Sequence, residues 1–135
     1  MNELIINIPG NPISKKRPRF ARRGKFVTTY NAQESEEGKF ICLMQSQLNG
    51  HKPIPAGTPI KLNIRFFMPI PSSISQKKRN LLCAHTKKPD LDNLIKFVKD
   101  CFNGIVWNDD SQVSSIEALK MYADNPQTVV TVMWE

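Results

Sequence analysis

The run Ile60-Lys61-Leu62-Asn63-Ile64-Arg65-Phe66 alternates apolar and polar residues without a break. Side chains on a strand point alternately to its two faces, so Ile60, Leu62, Ile64 and Phe66 share one face and Lys61, Asn63 and Arg65 the other. Such a strand is half-buried: its backbone needs neighbouring strands, and its apolar face needs a second layer. Pro69 and Pro71 end it.

The rest of the chain supplies both. Leu4, Ile6 and Ile8 alternate with Glu3, Ile5 and Asn7 ahead of Pro9-Gly10, a modest strand signal. Two later strands are predicted around Val113 to Tyr122 and Thr128 to Trp134, separated by the turn-forming Asp124-Asn125-Pro126. A helix is predicted over Ala32 to Leu48. Phe40, Ile41, Met44 and Leu48 recur at helical spacing, Glu34, Glu36 and Glu37 sit where the helix dipole favours anions, and Asn49-Gly50 closes it. A short helix capped by Ser72 or Ser73 runs through Leu82. The clearest helix spans Asp90 to Phe102, with Leu91, Leu94, Ile95, Val98 and Phe102 on one face, Asp92, Lys96, Lys99 and Asn103 opposite, and Gly104 at its end. This order predicts an α+β fold, a small mixed β-sheet of about four strands with two or three helices packed against it. At 135 residues the chain fits one domain, 1–135.

A net charge of +7 points to a polyanionic partner, and its distribution is uneven. No acid lies between Glu3 and Glu34, while Lys15, Lys16, Arg17, Arg19, Arg22, Arg23 and Lys25 crowd a basic loop at about 14–29, interrupted by Pro18 and Gly24. Such a loop holds phosphates without reading sequence, so it is expected to clamp DNA rather than to be an inert solubilising surface. Phe20 and Phe26 within it read either as core anchors or as wedges at a DNA branch. A second cluster, Lys77, Lys78, Arg79, His85, Lys87 and Lys88, immediately precedes Asp90 and is expected to steer a DNA backbone toward the acids.

No apolar stretch approaches the roughly 18 to 20 residues of a membrane span, and the first residues lack a secretory signal, so a cytoplasmic protein without a membrane partner is expected. Cys42, Cys83 and Cys101 are odd in number and widely spaced, which predicts buried thiols rather than a disulfide framework or zinc site. Trp107, Trp134 and Tyr122 are expected in the core or a dimer surface. No small-molecule cofactor is expected. An RNA- or ribosome-associated role would rest on charge alone, without an aromatic platform.

The acids carry the chemistry. In Lys88-Pro89-Asp90-Leu91-Asp92-Asn93-Leu94-Ile95-Lys96, Pro89 keeps Lys88 out of the helical region, so the chain enters extended. If Asp90 to Asp92 is still extended, the two carboxylates face one cleft. Lys96 stands one helical turn from Asp92, and Asn108-Asp109-Asp110 adds acids in a polar turn before a strand. Hard oxygen ligands of this kind suit Mg²⁺, with Mn²⁺ a possible substitute. Spacing alone also accommodates a helix cap at Asp90 or Asp92, an ordinary Asp92–Lys96 surface pair and a solvated Asp109-Asp110 turn.

The segment Lys88 to Lys96, continuing through Asp100 to Gly104 and then Asn108-Asp109-Asp110-Ser111-Gln112-Val113, resembles the signature of RusA-type crossover-junction endodeoxyribonucleases. The resemblance implies Asp90, Asp92 and Asp110 as metal-binding catalytic acids and Lys96 as catalytic lysine, with Asp109 and Asp100 in supporting places. It further implies a homodimer that resolves four-way (Holliday) junctions by paired symmetric nicks. A branched or flap DNA nuclease on the same scaffold and a non-catalytic junction-binding protein are the alternatives.

Overall fold

A computed structural model of the protein describes residues 1–16, 19–23, 26–30 and 34–135, with the backbone alone given for 19–23 and 26–30. The elements are β1 (Asn2–Pro9), β2 (Arg19–Arg23), β3 (Phe26–Tyr30), α1 (Glu34–Gln45), β4 (Ile60–Pro69), α2 (Gln76–Arg79), α3 (Leu91–Phe102), a 3₁₀ turn at Asp110–Gln112, β5 (Val113–Ala123) and β6 (Gln127–Trp134). Four strands form one mixed sheet in the order β1-β6-β4-β5; β6 runs antiparallel to both β1 and β4, and β5 runs parallel to β4. The expected α+β architecture is therefore observed.

The alternation in β4 does what it predicts: Ile60, Leu62, Ile64, Phe66 and Met68 are buried, while Lys61 and Arg65 are exposed on the other face. Ile6, Ile8, Val130 and Val132 extend the buried face across β1 and β6. α3 covers it with Leu94, Phe97, Val98, Cys101 and Phe102. That stripe is rotated from the predicted one. Phe97 and Cys101 are in it, whereas Leu91 and Ile95 lie at its edge, because positions spaced by three and four from Leu94 track the sheet. α1 adds Phe40 and Met44, and the Phe40 ring meets Phe97 edge-on at 5.3 Å. Phe97→Ala is expected to cost about 3–5 kcal/mol in a urea unfolding titration, the usual effect of emptying a buried aromatic site.

The basic segment, read as a loop or a loop with a hairpin tip, contains a two-stranded hairpin, with Arg19 opposite Tyr30 and Arg23 opposite Phe26; Val27-Thr28-Thr29-Tyr30 is the β-branched and aromatic composition that favours strand. Several other expectations are corrected. Arg17 and Lys25 lie outside the described residues, and the side chains of Phe20 and Phe26 are not among those described. α2 is capped by Ser75, not Ser72 or Ser73, and buries none of its residues; Leu81 beyond it is 77 % exposed. Two helices therefore cover the sheet, within the two or three expected. α1 ends at Gln45 rather than Leu48. Of the thiols only Cys101 is buried, its pKa pushed up to about 12 chiefly by burial; Cys42 and Cys83 are exposed. Among the described residues no helix is long and apolar enough to cross a membrane.

Candidate active site

The chain reaches α3 through a loop tied to β5. Tyr122 N donates to Cys83 O (2.9 Å), His85 N donates to Lys120 O (3.2 Å), and Ala84 bridges Met121. Asp90 then occupies the N-cap position of α3 with extended backbone, φ −69° and ψ 145°. Its carboxylate makes no capping hydrogen bond, so the bland reading of Asp90 as an ordinary cap does not describe its side chain.

Helix begins at the next residue, and this alters the expected pairing of Asp90 with Asp92. A helical step turns successive side chains by about 100°, so the two-residue repeat of a strand no longer applies. Asp90 lines a concavity with Ser14, Lys88, Pro89 and Asn93. Asp92 lines another, of about 270 Å³, with Ile95, Lys96, Lys99, Asp100 and Asp110. The structure thus gathers Asp92, Asp110, Asp100 and Lys96 around one opening and leaves Asp90 at the neighbouring one.

Asp110 is delivered there by the turn after α3. Gly104 takes φ 79°, a left-handed conformation open to glycine, and its N–H bonds Trp107 O at 2.8 Å. Trp107 is fully buried against Phe102, and its Nε1–H donates to Asp110 Oδ1 at 2.8 Å. Asn103 Oδ1 accepts from Asp110 N at 3.0 Å. Burial pushes the Asp110 carboxyl above its usual range; the Trp107 bond and Lys99 oppose that, while the charges of Asp100 and Asp109 add to it. Asp109 has a different task. It caps the 3₁₀ turn, accepting from Ser111 N at 3.0 Å, and those bonds hold its pKa below the usual value. Gln112 closes the capping box by accepting from Asp109 N (2.8 Å), and its amide donates to Pro55 O (2.7 Å) and Thr58 O (3.2 Å). This buried glutamine anchors the turn to the segment before β4.

A model of the family described as endodeoxyribonuclease RusA matches residues 9–133. The chain belongs to this family. A Bacillus subtilis (strain 168) protein named uncharacterized protein YqaN is 31 % identical over 140 residues, covering 98 % of this chain and 96 % of that protein. A Lactococcus phage r1t protein named crossover junction endodeoxyribonuclease rusA is 37 % identical over 82 residues, covering 58 % of this chain and 59 % of its own length. As a RusA-family member the chain is an endodeoxyribonuclease.

Within this RusA-family site the basic residues divide by their partners. Lys15 is an internal tether: its ammonium lies 3.0 Å from Glu37 and 3.1 Å from Asp100, and its N–H bonds Asn93 O at 2.9 Å. Burial works to lower its pKa, but the bonds to Glu37 and Asp100 outweigh that and raise it. In the protein without DNA its ammonium is thus shared between two carboxylates. Lys16 pairs with Glu36 at 3.4 Å, and Arg79 with Asp124 at 3.5 Å. Lys77, Lys78, Lys87 and Lys88 are exposed. His85 packs on the Tyr122 ring at 4.8 Å; burial first, then the Lys120 charge, lowers its pKa. Lys96 is 62 % exposed and 3.6 Å from Asp100.

Three residues that spacing left without a role thus hold the acidic turn: Trp107, Asn103 and Gln112. A buried indole N–H needs an acceptor, and Asp110 lies three residues on, so Trp107 was within reach of sequence reasoning. The reach of Gln112 to Pro55 and Thr58 was not, being brought about only by the fold.

Proposed function

We propose that the chain is a Mg²⁺-dependent endonuclease that resolves four-way DNA junctions by paired nicks as a homodimer. The observation that carries this reading is Asp110, tethered by Trp107 and facing the same opening as Asp92 and Lys96. The name of the phage relative, crossover junction endodeoxyribonuclease, supports the junction as substrate.

The donor set fits a hard divalent cation: carboxylate oxygens at a solvent-open concavity, one of them partly desolvated and crowded by like charge. Among the described residues no three acidic, histidine or cysteine groups already converge on one point. Asp92 and Asp110 would hold the ion, with Asp90 joining from the adjacent concavity. A bound ion of this kind lowers the pKa of a coordinated water and offsets charge building on the phosphate. Lys96, exposed at the rim, would donate to a phosphoryl oxygen and release its contact with Asp100 to do so. Lys88, beside Asp90, would take a neighbouring phosphate. A two-fold symmetric junction needs two such sites, and each subunit carries one, which is the reason for a C2 dimer.

The test is cleavage of a synthetic four-way junction in Mg²⁺, Mn²⁺ or EDTA, with flap, fork and linear duplex as competitors. Wild type is expected to nick the junction in preference to the competitors, only with metal, and Asp90→Asn to lose about a thousandfold or more in rate. Equal nicking by wild type and Asp90→Asn would remove the assigned site, and a preference for flaps would reassign the substrate.

A further inference from the structure

We propose that Lys120 is a positioning residue for the Asp90 end of the site: its ammonium holds the two carbonyls flanking Lys88 and thereby sets where the Asp90 carboxylate stands. The inference rests on the endonuclease reading above and assigns it a residue outside the acidic signature.

Lys120 lies on β5, the edge strand, in register with the fully buried Phe66, so its stem starts on the side of the sheet that the helices cover. A lysine there must carry its charge out to a polar partner, since a buried ammonium without one is costly. Among the described residues that partner is main chain. Lys120 Nζ donates to Lys87 O at 2.7 Å and to Pro89 O at 2.7 Å. Both are short, charge-assisted bonds, the stronger class of protein hydrogen bond. Its own carbonyl accepts from His85 N at 3.2 Å, so the loop is held from strand and side chain together.

The geometry bears directly on Asp90. Pro89 O belongs to the peptide plane that ends at Asp90 N, so fixing that oxygen fixes the plane. With the Asp90 carboxylate making no capping bond of its own, the orientation of its Cα–Cβ bond depends on the backbone that leads into it. Lys120 grips that backbone at two points while Leu91 starts the helix. Misplacement of a reacting group by about 1 Å costs on the order of a hundredfold in rate.

Three variants are compared with wild type: Lys120→Met, which keeps the stem and removes the donors, Lys120→Arg, which keeps charge and donors, and Asp90→Asn. Lys120→Met is expected to lower kcat on a four-way junction by about 10- to 100-fold and to weaken Mn²⁺ binding, read by calorimetry without DNA, by about tenfold. Its junction affinity in EDTA is expected to change by less than about threefold, and Lys120→Arg is expected to recover most of kcat. A purely structural role would instead lower the melting temperature, junction affinity and kcat in parallel, and that pattern overturns the proposal. So does a Lys120→Met enzyme with wild-type kcat and Mn²⁺ affinity. If Lys120→Met fails to fold, Lys120→Gln, too short to reach both carbonyls, replaces it with the same expectations. Should wild type itself leave the junction uncut in Mn²⁺, the junction-resolving reading falls, while the Mn²⁺ calorimetry still decides the positioning role.

Discussion

Asp110→Asn is expected to lose junction cleavage by about a thousandfold or more and, at neutral pH, to raise the melting temperature by about 1–2 °C. Both effects follow from one environment. The Asp110 carboxyl is partly desolvated and near the charges of Asp100 and Asp109, which raises its pKa above the ordinary 3.8. A carboxyl with a raised folded-state pKa binds its proton more tightly in the native protein than in the unfolded chain, so ionisation destabilises the fold. That penalty is fully present above the folded-state pKa and fades as the pH falls toward the unfolded value. Asparagine keeps an oxygen for the Trp107 N–H and carries no charge. Its advantage should therefore be largest near neutrality and vanish in acid, as melting curves across pH would record. Divalent metal should reverse the order, because a ligand that binds the native state stabilises wild type and not the variant. An Asp110→Asn protein less stable than wild type at neutral pH without metal would show that the carboxylate is favourably, not unfavourably, housed.

Trp107→Phe tests the same acid from behind. The substitution retains a buried ring against Phe102 and removes the Nε1–H that holds Asp110 Oδ1 at 2.8 Å. That bond favours the anion, so its loss moves the Asp110 pKa further up. Cleavage is expected to fall by about 10- to 100-fold at the acid end of the profile. Because the proposed reaction needs the ionised carboxylate, the acid limb should shift to higher pH and the deficit should narrow as pH rises. A deficit constant across pH would mean that the indole acts only by packing.

Much of the sheet could be read directly from the chain. The alternation in Ile60 to Phe66, and the runs that become β1, β5 and β6, reflect a backbone rule that needs no tertiary information: strand side chains alternate faces. The helix from Leu91 to Phe102 was equally plain, although its buried stripe turned out to centre on Phe97 and Val98. Which of two overlapping apolar stripes meets the sheet is set by the layer beneath. The acids behaved likewise. Asp90, Asp92 and Asp110 stand out by type and spacing, yet it took the fold to show helix starting at Leu91, with Asp92 and Asp110 lining one concavity and Asp90 another. The basic segment 14–29 was legible as charge; that Lys15 would give its ammonium to Glu37 and Asp100 was not.

The sequence by itself determined the kinds of groups present and their local geometry: a half-buried strand, an amphipathic helix entered through a proline, hard oxygen donors at its start, a surplus of cations. These depend on residue type and on periodicities of two and 3.6, which act over a few positions. Tertiary structure alone decided which groups meet. Lys120 reaches the carbonyls before Asp90 because β5 lies parallel to β4 at the sheet edge, and Gln112 reaches Pro55 and Thr58 because the 3₁₀ turn folds back on the segment before β4. Contacts between residues tens of positions apart leave no periodic trace in one chain, since any of several packings of the same elements would satisfy the local rules, and only burial of the shared core selects among them.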